Sequence, residues 1–216
     1  MKNRLMALGF TNALGMGFGL ALLGLPSRAI AATTDPASAL VTADDAPGDG
    51  IYGRFRGDFS LALGASAELD ITRQAARPAI FTTLRFYQAV GLTLTGSQSV
   101  TSSDPLERRI TASVIVEPLF LLRWSKYQHT GRALLDLTID SLQIHAGVAL
   151  LEPRGGNFAS PTVANLGAGF GVPLQAKANG LWLRSRLDVE LGAASPAVLC
   201  LVGLEWQFFF ESGLVR

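Results

Sequence analysis

The sequence predicts an all-β chain, and three observations carry that prediction. Apolar and polar residues alternate with a period of two in segment after segment, which collects each kind on one face of a strand. Turn-rich stretches such as "TRQAARPA", "SQSVTSSDPLE", "EPRGGNFASPT" and "GAASPA" separate those segments. The polar faces mix Arg with Asp and Glu but hold almost no Lys, which suits paired charges in a confined interior better than a water-facing surface. Apolar residues make up 49% of the 216 positions and charged ones 16%, against roughly a quarter charged in a soluble domain. These features predict a closed antiparallel transmembrane β-barrel.

The first 31 residues, "MKNRLMALGFTNALGMGFGLALLGLPSRAIA", place Lys2 and Arg4 before an uncharged apolar stretch and then Ala29-Ile30-Ala31. A basic start, an apolar middle and small residues at the end predict a secretory signal peptide cleaved after Ala31; a retained anchor is the competing reading. Its removal leaves 15 basic and 17 acidic residues, with Lys126 and Lys177 the only lysines beside thirteen arginines. No basic patch invites nucleic acid, and the single cysteine, Cys200, excludes an intrachain disulfide. Residues 32–50, "ATTDPASALVTADDAPGDG", are small, acidic and broken by Pro and Gly, the composition of a flexible tail.

The barrel is predicted over 51–210 and a short tail over 211–216. The segment 51–71, "IYGRFRGDFSLALGASAELDI", opposes Leu61 and Leu63 to Arg54, Arg56, Asp58, Glu68 and Asp70. Residues 80–96 set Leu84, Phe86, Leu92 and Leu94 against Thr83, Arg85, Tyr87, Thr93 and Thr95. Residues 109–124 set Ile110, Val114, Val116, Phe120 and Trp124 against Arg109, Thr111, Glu117 and Arg123. In 142–150, Ile144 and Val148 oppose Gln143 and His145, and in 163–175 Leu166, Phe170 and Val172 oppose Gly167, Gly169 and Gly171. Residues 181–191 are the clearest, with Leu183, Leu187 and Val189 against Trp182, Arg184, Arg186, Asp188 and Glu190. The last segment, 197–210, puts Val202, Leu204, Trp206, Phe208 and Phe210 on one face and Glu205 on the other. A helix at 100° per residue would scatter Arg184, Arg186 and Asp188, whereas a strand gathers them. In the 125–141 connection, Leu134, Leu135, Thr138 and Leu142 are spaced for a short amphipathic helix.

Alternation does not by itself say which face is wet. The Arg/Asp/Glu mixture, the aromatics near segment ends and segment lengths sufficient for a tilted crossing of roughly 9–11 residues favour lipid on the apolar side. Candidate lipid-facing residues are Leu61, Leu63, Leu84, Phe86, Val114, Val116, Leu183, Leu187, Val189, Val202 and Leu204. Trp124, Tyr127, Trp182, Trp206, Phe208 and Phe210 are candidates for the membrane–water boundary. The candidate lumen charges are Arg54, Arg56, Asp58, Glu68, Arg85, Glu117, Arg123, His145, Arg184, Arg186, Asp188, Glu190 and Glu205. Because hydrocarbon cannot pair an open strand edge, such a sheet must close.

These repeated segments and the aromatic last strand Leu204-Glu205-Trp206-Gln207-Phe208-Phe209-Phe210 resemble small outer-membrane β-barrels of Gram-negative bacteria. The resemblance implies export to the outer membrane, insertion by the barrel-assembly machinery and contact with outer-membrane lipids. It departs from the pattern at the end, where "ESGLVR" follows the last aromatic. Seven segments are visible where the class has an even number; the eighth strand is expected within the long 51–71 segment or the 127–141 gap. An interior of this size is filled by side chains, so the expected role is non-enzymatic, structural or surface-interacting, with specificity in the 125–141 loop. The alternatives are a soluble exported barrel for a small apolar ligand, a small-solute pore, or a lipid-modifying enzyme using His129 with Ser125 and Asp136. Two histidines and one cysteine make no metal motif, and no cofactor is expected.

Overall fold

The computed structural model describes residues 51–54, 57–192 and 196–211. The expected leader (1–31), the tail (32–50), Arg56 and the residues from 212 onward lie outside the described residues. A single 3-10 turn, Ile51–Gly53, precedes eight strands: β1 Phe59–Asp70, β2 Ala75–Phe86, β3 Val90–Gln98, β4 Leu106–Val116, β5 Gln143–Pro153, β6 Thr162–Pro173, β7 Gly180–Leu191 and β8 Ala197–Phe210. Two short helices, α1 Pro118–Ser125 and α2 Ala133–Asp140, join β4 to β5. Each strand pairs antiparallel with its sequence neighbour, and β8 returns to β1 in a register running from Phe59↔Phe210 to Asp70↔Leu199, so the barrel is closed.

The period of two becomes a two-sided wall. Along β7, Trp182, Arg184, Arg186, Asp188 and Glu190 are buried while Leu183, Leu187 and Leu191 are exposed. Every strand follows this rule, with even positions inward on β1 and β7 and odd ones inward on the remaining six, except that Leu106 is buried where the register of β4 shifts before Arg108. Even strand number brings the start of β1 and the end of β8 to one end of the barrel, together with the β2–β3 turn, the α1–α2 connection and the β6–β7 turn. The opposite end carries residues 71–74, 99–105 and 154–161 and the β7–β8 connection.

Several expectations change. The first strand begins at Phe59 and not at Ile51; the alternation through 51–58 belongs to the 3-10 turn and its exit, which still bury Arg54 and Asp58. The segment read as one strand at 80–96 is two, β2 and β3, and it supplies the eighth strand sought in 51–71 or 127–141. The stretch "TRQAARPA", read as a connection, already contains the start of β2. The turn between them hid for a physical reason. Tyr87 and Gln88 both take left-handed backbone (φ 47° and 53°) without a Gly, Asn or Pro to signal it. Phe86 pairs with Val90 across it, so even positions point outward on both strands and the alternation runs on unbroken. Tyr87 therefore sits in this turn against the Phe86 ring (4.7 Å between centroids) rather than on a lumen-facing strand.

The segment 109–124 is a strand followed by a helix. Pro118, with no N–H to donate, begins α1 at a position where none is needed. Glu117 and Arg123 thus belong to the α1 region, not to a strand, although both are buried. The helix expected in the 125–141 loop is α2, but its orientation is the reverse of a soluble amphipathic helix: Asp136, Leu137 and Asp140 are buried, while Leu134 (51%) and Leu135 (43%) are exposed.

Candidate functional site in the barrel interior

The interior is built from long charged side chains that the inward positions of different strands bring together. Toward the opposite end, Glu68 of β1 lies between two arginines, at 2.9 Å from Arg77 NH1 and 2.8 Å from Arg109 NH1. Arg77 also donates twice to Asp104, at 2.6 and 2.9 Å, a fork-to-carboxylate pair. Arg109 reaches across to Glu190 of β7 at 2.7 Å, so one guanidinium ties β4 to both β1 and β7. His145 Nε2 lies 2.6 Å from Asp188, whose second oxygen is 3.0 Å from Arg186.

Nearer the end where β1 starts, Arg184 Nε donates to Glu205 at 2.6 Å and Arg85 Nε lies 3.1 Å from Glu117. Glycines on β6 make room for these groups. A Cβ on Gly167 would stand 2.4 Å from His145 Nε2 and 2.6 Å from Asp188 Oδ1, and one on Gly171 would meet Arg184 NH1 at 2.6 Å. The small-residue strip read at 167–171 is therefore the space that the paired charges occupy.

The end of the barrel where β1 starts and β8 finishes is covered by a cap. Arg123 of α1 pairs with Asp136 and, at 2.7 Å, with Asp140, both on α2. Arg54 joins Asp140 at 3.2 Å and lies over the Phe120 ring, 4.8 Å from its centroid. Tyr52 donates its hydroxyl to Asp136 at 2.8 Å. Beneath these, Leu137, Ala178 and Trp182 form an apolar cluster against Tyr52 and Phe209. Burial pushes the Asp136 carboxyl up, but hydrogen bonds from the Thr130 N–H, Tyr52 and Arg123 outweigh it and hold the group well below the usual carboxylate range. Burial, the hydrogen bond to Asp136 and its negative charge push the Tyr52 phenol up to about 12.

Of the lumen residues read from sequence, Asp58, Glu68, Arg85, His145, Arg184, Arg186, Asp188, Glu190 and Glu205 are buried along the barrel, while Arg54, Glu117 and Arg123 are buried at its capped end. Arg56 lies outside the described residues. On the outer wall, Leu63, Leu84, Phe86, Val114, Val116, Leu183, Leu187, Val202 and Leu204 are exposed, and Leu61 and Val189 are half-buried. Trp124, Tyr127, Trp206, Phe208 and Phe210 are exposed as well. Trp182 is a correction: it occupies an inward position of β7, is 2% exposed, and donates its indole N–H to Ala178 O at 2.9 Å. It is a floor of the cap and not a boundary aromatic.

Sequence reasoning set Arg109 on a polar face without counting it among the lumen charges, and missed Arg77, Asp104, Asp136 and Asp140 as members of the network. Arg77 lies in the stretch read as a turn and the three aspartates in connections, where no periodicity says which way a side chain points. Nor does the structure assemble a Ser125–His129–Asp136 relay. Ser125 Oγ donates to Leu122 O at 3.0 Å, and the Asp136 oxygens are taken by Tyr52, Arg123, Thr130 and Gly131.

No protein-family model matches the chain, and no curated protein matches it in sequence. Among solved structures it is similar to the N-terminal β-barrel domain of Pseudomonas aeruginosa OprF, at 16% identity over 70% of this chain and 98% of that one, with a TM-score of 0.47. Neisserial surface protein A matches at 14% identity over 71% of this chain and 98% of that one, with a TM-score of 0.42. Ail, the attachment invasion locus protein of Yersinia pestis, in its complex with a heparin analogue, matches at 10% identity over 69% and 97%, with a TM-score of 0.37.

Proposed function

We propose that the chain is a non-enzymatic outer-membrane β-barrel, structural or surface-interacting, with lipid around its outer wall and a plug of paired charges inside. The observation that carries this reading is the inversion of polarity across the wall. Ile80 is 72% exposed, Leu92 61% and Leu187 50%, while Glu68, Asp188 and Glu190 are fully buried. A wall of that kind far exceeds the apolar patch of a few hundred Å² that a soluble monomer tolerates, and hydrocarbon removes the penalty. The closed hydrogen-bond ladder meets the other demand of a bilayer, that no strand edge be left unpaired.

Aromatic rings support a boundary at the end where β1 starts and β8 finishes. Phe59, Phe86 and Phe210 adjoin one another there, with centroids 5.2 and 5.8 Å apart, and Trp206 and Phe208 follow on β8 at 6.2 Å. The exposed Leu121, Leu122, Trp124, Leu134 and Leu135 of α1 and α2 extend the apolar wall beyond the strands, between outward Val116 and Ile144. On this reading the 125–141 connection interacts with the bilayer boundary.

The test is where the exported protein goes and whether its fold needs lipid. It should fractionate with outer membranes and run at different gel positions before and after heating. Leu187→Arg, which places a charge in the hydrocarbon at a cost of about 2–4 kcal/mol near the midplane, should block assembly. A protein that stays in the aqueous fraction, with Leu187→Arg folding normally, would overturn the reading.

A further inference from the structure

Between the two ion-pair layers lies a partly open cavity of about 30 Å³, room for a monatomic ion or a few waters. Three arginines line it, Arg85, Arg184 and Arg186, each at least nine-tenths buried. All three keep N–H groups with no protein acceptor: Arg85 NH1, Arg184 NH1 and Arg186 Nε. The Ser66 hydroxyl, also in the wall, has no partner either. Against these donors the wall offers one carboxylate, Glu205, already engaged by Arg184 at 2.6 Å and facing Arg85 at 3.7 Å. The other acidic partners, Glu117 of Arg85 and Asp188 of Arg186, stand off the cavity wall.

An excess of donors asks for an acceptor. A water would accept from two of them but would bring two hydrogens of its own to a wall whose one acceptor without a partner, beside the Ser66 hydroxyl, is Gln143 Oε1. A monatomic anion accepts from every side and donates nothing. We propose that this cavity binds a small monovalent inorganic anion of the halide class, held by Arg85, Arg184, Arg186 and Ser66. The site lies inside the barrel and does not depend on what covers the outer wall.

The experiment titrates sodium chloride or bromide against sodium gluconate at constant ionic strength and follows thermal unfolding of the full-length protein, in detergent micelles or in plain buffer if it proves soluble there. A saturable rise of the midpoint with halide, absent with gluconate, is expected, because a ligand that binds only the folded state stabilises it by mass action. Ser66→Leu keeps every arginine but fills the cavity, and should abolish the rise. The charge-neutral double variant Arg184→Gln with Glu205→Gln should weaken halide binding at least tenfold. In bromide-soaked crystals of the unaltered protein, an anomalous peak should lie among the three guanidinium groups. Equal midpoints in halide and gluconate, a halide effect undiminished in Ser66→Leu, or density in the cavity without anomalous signal would each overturn the proposal. If neither variant folds, the titration and the bromide crystals still decide. Failure of the lipid reading would show separately, as solubility without detergent.

Discussion

Asp136 shows how much of the cap rests on single protonation states. Its carboxylate accepts from Tyr52, Arg123, Thr130 and Gly131, and it is held well below the ordinary aspartate range. A carboxyl with a depressed folded pKa stabilises the fold above its unfolded value of about 4 and loses that contribution as pH falls further. Tyr52 behaves in the opposite sense. Its folded pKa of about 12 favours the neutral phenol, so its contribution is complete below pH ~10 and disappears as pH climbs toward that folded value. Trp182 packs against Tyr52 in the cap and reports on both. Its fluorescence should hold steady from mildly acidic pH to about pH 10 and change beyond that, and Tyr52→Phe should remove the alkaline change. An alkaline transition unaltered in Tyr52→Phe would mean that another group loosens the cap.

At the scale of elements, the β2–β3 turn sets the facing of everything after it. Phe86 opposite Val90 puts Leu92 and Leu94 outside and Thr93 and Thr95 inside. Deleting Gln88 would slip β3 by one residue and exchange those faces, burying leucines among arginines and presenting threonines outward. The expected result is loss of the compact heat-sensitive band on gels. Gln88→Ala is the control: it gives up hydrogen bonds to Ser60 (2.5 Å) and Gln207 (2.9 Å) but keeps the register, and should still assemble. The helices follow a different rule. Arg123 draws Asp136 and Asp140 inward and leaves Leu134 and Leu135 outside, so on α2 ion pairing beats the burial of apolar side chains. That ordering makes sense where the outside of the helix is itself apolar.

For the whole molecule, closure and content act together. A ladder closed between β1 and β8 leaves no edge, and the struts Glu68–Arg109–Glu190 cross the space that closure encloses. Removing one partner of a buried ion pair typically costs about 3–5 kcal/mol, because the other charge is left unpaired. The interior is therefore expected to stay filled and not to open as a channel. In planar bilayers the protein should give no steady ohmic conductance, and replacing 118–141 by a short Gly/Ser linker should not create one, since the layers around Glu68 and Glu205 remain. Steady conductance in the intact protein would contradict the plug.

Strand identity and facing could be read from the chain because a period of two is a property of neighbouring residues: Arg184, Arg186 and Asp188 need only each other's spacing to share a side. Closure of the sheet, too, follows from local chemistry once the apolar face is given to lipid. What had to wait for the folded molecule was whatever depends on partners far apart in the chain. The Tyr87–Gln88 turn carries no glycine or proline, and only pairing of β2 with β3 reveals it. Trp182 already stood on the polar face in the alternation, and its packing with Ala178 and with Leu137 of the distant α2 is what makes it part of the cap and not a boundary aromatic. Asp104, Asp136 and Asp140 sit in connections where no repeat fixes direction, and it was the reach of Arg77, Arg123 and Arg54 across the barrel that decided where they point.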